Sequence, residues 1–214
     1  MKTDTDFLIS GMLASKTPSS FWKKIPKSFE ELERSKGVIL KNNESIFDHT
    51  MNVLDCLEVK NEITLFAALF HDLGKEKARQ INDDNVVTYH HHEYYSADIA
   101  WDKLTLWQST LAVRDRVVRI IQTHMFDIKT NINQGLIRNF IAKVGYDNVS
   151  NWFYVREADS RSYRTHTKYC FKTYCKEILL PFKNIVFEEI RESIELEFTP
   201  GEISTEGFFG ITGV

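Results

Sequence analysis

His71 and Asp72 stand side by side after the apolar run Leu65-Phe66-Ala67-Ala68-Leu69-Phe70, and Leu73-Gly74-Lys75 follows them. The run reads as a buried helix, with Gly74 placed to end it in the left-handed conformation that glycine adopts at little steric cost. An imidazole and a carboxylate in the last turn of a core helix are not there for packing. A buried charge is stable only when it is paired or bound to a metal, so a metal-ligand pair accounts for both. Capping of a helix end is the plainer account of an isolated His-Asp pair. The rest of the chain decides between them.

Other candidate ligands recur at inward-facing positions of separate segments. His49 opens a helical stretch, Phe47 to Val59, in which Val53, Leu54 and Leu57 return at helical spacing. His124 lies seven residues after Val117 in a helix expected over 111–125, with Val117, Val118, Ile120 and Ile121 buried. Asp159 shares a stripe with Trp152 and Val155, and His92 follows a short hairpin. Neutral imidazole with carboxylate suits divalent Mn, Fe, Co, Ni or Zn better than Ca, and Mg is admissible. His49, His71, Asp72 and Asp159 give one ion its donors and leave positions for water. With His92 and His124 there are donors for two ions, Asp72 bridging.

The elements that must position these residues are mostly helices. Thr17-Pro18-Ser19-Ser20 is a helix start leading to Ile25, and Pro26 stops it. Ser28-Phe29-Glu30-Glu31 has capping-box spacing, and Gly37 to Ser45 is a polar connection. The central helix is expected over 62–73, apolar on most faces. Ala78-Arg79-Gln80-Ile81 and Val86-Val87-Thr88-Tyr89 flank the turn residues Asn82-Asp83-Asp84-Asn85, a β-hairpin pattern. Helical periodicity returns from Ser96 to Trp107, from Gln134 to Val144, and from Asn148 to Ser160 after Gly145. Helices then continue to about Leu180, break at Pro181 and resume to Leu196, before an irregular tail from Phe198 to Val214. The expected fold is an all-α bundle with one small β-hairpin. Its organisation is an N-terminal extension (1–17), a main domain (18–180), and a C-terminal helix with a tail (181–214).

Composition agrees with a globular protein: 214 residues, 43% hydrophobic and 13% aromatic. A net charge of -3 gives no global attraction to nucleic acid or anionic membrane. Basic residues cluster locally at Arg114, Arg116 and Arg119, then at Arg156, Arg161, Arg164, Lys168 and Lys172, faces that suit either a phosphate-bearing substrate or bulk water. Cys56, Cys170 and Cys175 suggest no disulfide framework. No apolar run approaches the roughly 20 residues of a membrane span, and no signal-peptide stretch opens the chain, so a cytoplasmic setting is expected.

In chain order the candidates read His, His-Asp, His, His, Asp, and here the sequence resembles the HD-domain metal-dependent phosphohydrolases. It is most similar to the HD domain of bacterial tRNA nucleotidyltransferases. The residues that carry the resemblance are Phe47-Asp48-His49-Thr50 with Val53-Leu54-Asp55, Ala67 through Lys75, Lys77-Ala78-Arg79, Tyr89 through Glu93, Ser96-Ala97 and His124-Met125. Leu136 through Ile141, Val144-Gly145 and Arg156-Glu157-Ala158-Asp159 complete it, over roughly residues 18–162. Two features depart from the pattern. His91 stands where the family usually has glycine, which makes His90 or His91 an extra ligand or a surface imidazole. Asp4-Thr5-Asp6 is the only Asp-x-Asp, with no Gly-Ser strand before it, so nucleotide addition is not implied.

The resemblance implies hydrolysis of phosphomonoesters or 2′,3′-cyclic phosphodiesters on nucleotides or RNA ends. A cation at the His/Asp site lowers the pKa of bound water to about 7 and neutralises charge on a phosphoryl oxygen. Asp72 and Lys75 are the catalytic candidates. Lys75 and Arg79 are read as phosphate-binding point charges, and His92 and His124 either hold a second ion or orient the substrate. The expected partner is a phosphorylated nucleotide or RNA 3′ end, with no membrane partner and a homodimer compatible. Three rivals are a 5′-nucleotidase on free nucleoside monophosphates, a di-iron oxygenase, and a non-catalytic RNA-binding module using the two basic segments.

Overall fold

A computed structural model describes residues 4–25, 29–40, 42–128, 132–162 and 174–197. The chain folds around α5 (Glu62–Phe70), in which every residue from Ile63 to Phe70 is buried. Four helices pack on it: α4 (Ile46–Cys56), α7 (His92–Leu106), α8 (Leu111–Thr123) and α10 (Val149–Ser162). A nine-residue helix buried on all sides needs its ends fixed by something other than water. Asn61 supplies this at the start: its side chain accepts from Thr64 N (2.9 Å), and its own N–H donates to Thr64 Oγ1 (3.1 Å). Asn61 also donates to Asn151 Oδ1 at 2.9 Å, which locks α5 to α10.

The remaining elements brace this core. Helix α1 (Asp4–Ala14) packs on α2 (Pro18–Lys24), and α2 is tied to α4 by Ser19, whose N–H and Oγ both donate to Asp55 (3.0 and 2.6 Å). Short α3 (Glu30–Arg34) leads through a single turn to Ser45, which caps α4 by accepting from Asp48 N. After α6 (Lys75–Ala78), strands β1 (Gln80–Ile81) and β2 (Val87–Thr88) form the antiparallel hairpin in the expected place, Gln80 opposite Thr88. Helix α9 (Gln134–Val144) has the boundaries that its sequence pattern predicts, with Gly145 beyond it at φ 90°. Helix α11 (Leu180–Glu197) closes the far end, where Phe182 meets the rings of Phe126, Phe140 and Phe153.

Five expectations need correction. Gly74 is right-handed (φ -69°), and the central helix ends at Phe70 rather than running to 73. Space, not handedness, demands the glycine: a Cβ there would lie 2.4 Å from both His92 O and Ser96 N. Pro181 does not break the chain. It lies in the first turn of α11, preceded by a π-helical turn (Cys175–Leu179) that accommodates its ring and missing N–H. Helix α7 begins at His92, before Ser96, because His91 takes the left-handed conformation (φ 63°) and turns the chain into it. Val118 is only partly buried. Pro26, Ser28, Arg164, His166, Lys168, Cys170, Lys172 and the tail from Phe198 lie outside the described residues.

Substitution at the close approach is the test of this packing. Gly74→Ala is expected to cost about 3 kcal/mol, lowering Tm by about 6–12 °C. Gly37→Ala, where a Cβ meets nothing within 4 Å, should change stability by no more than about 0.5 kcal/mol. Thermal unfolding of both variants checks the contrast.

Candidate metal centre

All four helices packed on α5 carry a residue that meets at its C-terminal end. His71 ends α5, and Asp72 follows in the turn that Gly74 closes against α7. His49 comes from the first turn of α4, His92 from the first residue of α7, His124 from the end of α8 and Asp159 from the last turn of α10. All six are buried. His49, His71, Asp72, His92, His124 and Asp159 are therefore brought into one cluster, which His90 and His91, both exposed, do not join.

The cluster divides about the Asp72 carboxylate. Its Oδ2 lies 3.4 Å from His49 Nε2 and 3.4 Å from His71 Nε2, and those two nitrogens are 3.3 Å apart. Its Oδ1 lies 3.2 Å from His92 Nε2 and 3.7 Å from His124 Nε2, with 3.2 Å between that pair. Asp159 Oδ1 joins the first group, 3.1 Å from His49 Nε2 and 3.8 Å from His71 Nε2. Bonds of about 2.0–2.2 Å at roughly 90–109° place neighbouring ligand atoms about 2.8–3.6 Å apart. Most of these distances fall in that interval, and the two exceptions exceed it slightly.

Hydrogen bonding on the far side of the rings decides what the near side presents. His71, His92 and His124 point Nδ1 at the backbone carbonyls of Ala68 (2.9 Å), Tyr89 (2.9 Å) and Ile121 (2.6 Å). A carbonyl only accepts, so in each neutral ring the proton sits on Nδ1 and Nε2 is a bare lone pair. Bare nitrogens at 3.2 Å, facing carboxylate oxygens, repel one another unless a cation lies among them. Asp159 Oδ1 carries the same message, since it is buried without a hydrogen-bond donor. The donor set fits one or two divalent cations: His49, His71 and Asp72 for one, with Asp159 Oδ1 beside the two imidazoles, and Asp72, His92 and His124 for the other.

Electrostatics agree. Burial would raise the Asp72 pKa, but the Lys75 ammonium and the His71 ring outweigh it and hold the carboxyl well below the usual range. Asp159 is likewise lowered against its burial by the His49 and His71 imidazoles. Burial works against charge on His71 too, yet Asp72 and Asp159 raise its pKa, so the pocket between the carboxylates favours positive charge. Burial lowers the His124 pKa and favours the neutral ring that a metal ligand must be.

The charged candidates fare differently. Lys75 is buried and its Nζ sits 2.5 Å from Asp72 Oδ2, so it neutralises the central carboxylate. Arg79 is exposed at the end of α6, and His90 and His91 are exposed as well. Among the described residues of the basic segments, Arg114 stacks on Trp101, Arg116 pairs with Asp147, Arg119 with Asp115 and Arg161 with Glu157. Arg156 is closer to the centre than its sequence position suggested. It donates to His124 O at 2.8 Å and to Tyr174 Oη at 3.1 Å, and lies 4.0 Å from Asp159 Oδ2.

A helical bundle with a buried His/Asp cluster able to hold divalent cations is what a metal-dependent hydrolase requires. Residues 37–200 match the HD domain family, and the chain belongs to it. That match begins beyond α3, includes all six cluster residues, and concerns the HD domain as such, without singling out the tRNA nucleotidyltransferase branch. No curated protein matches the chain. No described helix is long and apolar enough to cross a membrane.

Metal loading tests the centre directly. Stripped protein titrated with Mn²⁺ or Zn²⁺ should take up two equivalents. At a hundredfold excess over Kd each site adds about 2.7 kcal/mol, a Tm rise of about 5–10 °C that chelator reverses. Asp72→Ala should show neither the uptake nor the rise, because both groups share that carboxylate.

Proposed function

We propose that this protein is a dinuclear phosphohydrolase that removes a phosphomonoester or opens a 2′,3′-cyclic phosphodiester on nucleotides or RNA 3′ ends. The observation that carries the reading is the Asp72 carboxylate, with one oxygen turned to the His49/His71 pair and the other to the His92/His124 pair. Bound cations supply Lewis acidity toward the phosphoryl oxygens and an activated water at neutral pH. His49, His71 and Asp72, with Asp159 beside them, would hold one cation, and Asp72, His92 and His124 would hold the other, where fewer protein donors converge. Lys75 keeps Asp72 ionised and adds a positive charge beside the phosphate. Arg79, exposed on the next helix, can meet a more distant part of the substrate. The substrate class is supported by the sequence motifs shared with the tRNA nucleotidyltransferase HD domain, and the hydrolase class by family membership.

The experiment is a hydrolysis screen on stripped protein reloaded in turn with Mn, Co, Ni, Zn and Mg. Its substrates are nucleoside 5′-monophosphates, 2′- and 3′-monophosphates, 2′,3′-cyclic nucleotides, and RNA ending in a 2′,3′-cyclic phosphate. Turnover of the 2′-, 3′- or cyclic compounds is expected, falling about 10³-fold or more in Asp72→Ala with the circular dichroism unchanged. Exclusive turnover of 5′-monophosphates would make it a 5′-nucleotidase instead. Full activity in Asp72→Ala would remove the metal from the mechanism.

A further inference from the structure

The four imidazoles do not fix their tautomers by the same device. His71 and His124 stand at helix C-termini, where the last carbonyls lack a helical partner, and each uses one three residues back. His92, at the start of α7, uses Tyr89 O in the loop before it. His49 lies in the first turn of α4, and Ser45 O accepts its backbone N–H at 3.0 Å. Its Nδ1 faces a hydroxyl, Ser162 Oγ at 3.2 Å, 113 residues further along the chain, with Glu44 Oε2 more distant at 3.9 Å. Ser162 is buried and its hydroxyl donates to Asp159 O at 2.7 Å. Having given its only proton there, Oγ is left to accept from Nδ1–H.

We infer that Ser162 is a positioning residue of the metal centre, whose hydroxyl holds the His49 proton on Nδ1 and so keeps Nε2 bare toward the cation. This rests on His49 being a metal ligand. The competing tautomer is available in the same pocket. With its proton on Nε2, His49 would donate to Asp159 Oδ1, 3.1 Å away and without a donor of its own. That arrangement satisfies the carboxylate internally and shuts out the metal, which would have to displace the proton first. Ser162 opposes it from the other side of the ring. One side chain thereby governs two ligands of the same ion, His49 through its lone pair and Asp159 through its backbone carbonyl. The plainer account is that Ser162 back-bonds within α10 as serines at helix ends do, with no effect on His49.

Ser162→Ala and Ser162→Thr separate the two accounts. In stripped wild-type protein, the ¹⁵N shifts of His49 should report protonated Nδ1 and bare Nε2, and in Ser162→Ala the proton should move toward Nε2. Competition titration against a chromophoric chelator with Mn²⁺ or Zn²⁺ should show one equivalent weakened by about 10–100-fold in Ser162→Ala. The equivalent held by His92 and His124 should stay within about threefold. Ser162→Thr, which keeps the hydroxyl, should bind both equivalents within about threefold of wild type. The inference is overturned if Ser162→Ala binds both as tightly as wild type, whatever its Tm, or if its His49 tautomer is unchanged. If threonine does not fit the site, the tautomer comparison alone decides. A wild-type chain that takes up no metal overturns the proposed function as well, whereas tight wild-type binding matched by Ser162→Ala overturns only the role of Ser162.

Discussion

A carboxylate buried in a protein interior must find positive charge or hydrogen bonds equal to what water gave it. For Asp72 that requirement organises the molecule. Its two oxygens face in different directions, each toward a pair of imidazoles, and Lys75 stands against one of them. To bring those partners together, helices from opposite ends of the sequence have to converge on the end of α5. The apolar body of α5 makes this possible, since a helix buried on every face is one that four neighbours can share. The glycine two positions after Asp72 completes the arrangement by letting the start of α7, and with it His92, approach the backbone.

The cluster was legible in the sequence because its ligands obey helical periodicity. His124 and Asp159 could be placed inward by counting from Val117 and from Trp152, and the structure buries both. The hairpin was legible from a run of turn residues between short apolar segments, and α9 from its helical periodicity and the glycine after Val144. What escaped was what depends on tertiary contact. Gly74 reads locally as a helix stop. Only the position of α7 shows that it serves a close approach. Pro181 reads as a breaker because sequence patterns presume an α-helix throughout, and a π-helical turn removes the conflict. Ser162 gave no signal except that it lies one turn beyond Asp159, and its partner is on a helix far away in sequence.

Helix α10 shows how a single stripe can serve both halves of the centre. Arg156, Asp159 and Ser162 follow one another at three-residue spacing, so they lie along one side of the helix. Arg156 holds the carbonyl of His124, Asp159 offers a carboxylate oxygen beside His49, and Ser162 meets the far side of the His49 ring. Trp152, a turn earlier, donates to Thr123 O at 3.1 Å and so fixes the end of α8 just before His124. Displacing α10 would disturb ligands on α4 and α8 together, although neither helix is its neighbour in sequence.

The tautomers give the centre its direction. A histidine free to choose would settle its proton on whichever nitrogen faced the nearest carboxylate, and near Asp72 and Asp159 that nitrogen is Nε2. His71 and His124 escape this outcome at helix C-termini, whose last carbonyls have no helical N–H four residues on, and His92 escapes it through the loop carbonyl of Tyr89. The placement of candidate ligands at the ends of α5 and α8 and just after the loop before α7 is thus more than a way to bring them into reach. It supplies backbone acceptors on the far side of three rings, which leaves Nε2 bare in each neutral ring. For His49 the partner on the far side of the ring is instead a side chain from another part of the chain, Ser162 Oγ at 3.2 Å, with Glu44 Oε2 3.9 Å away.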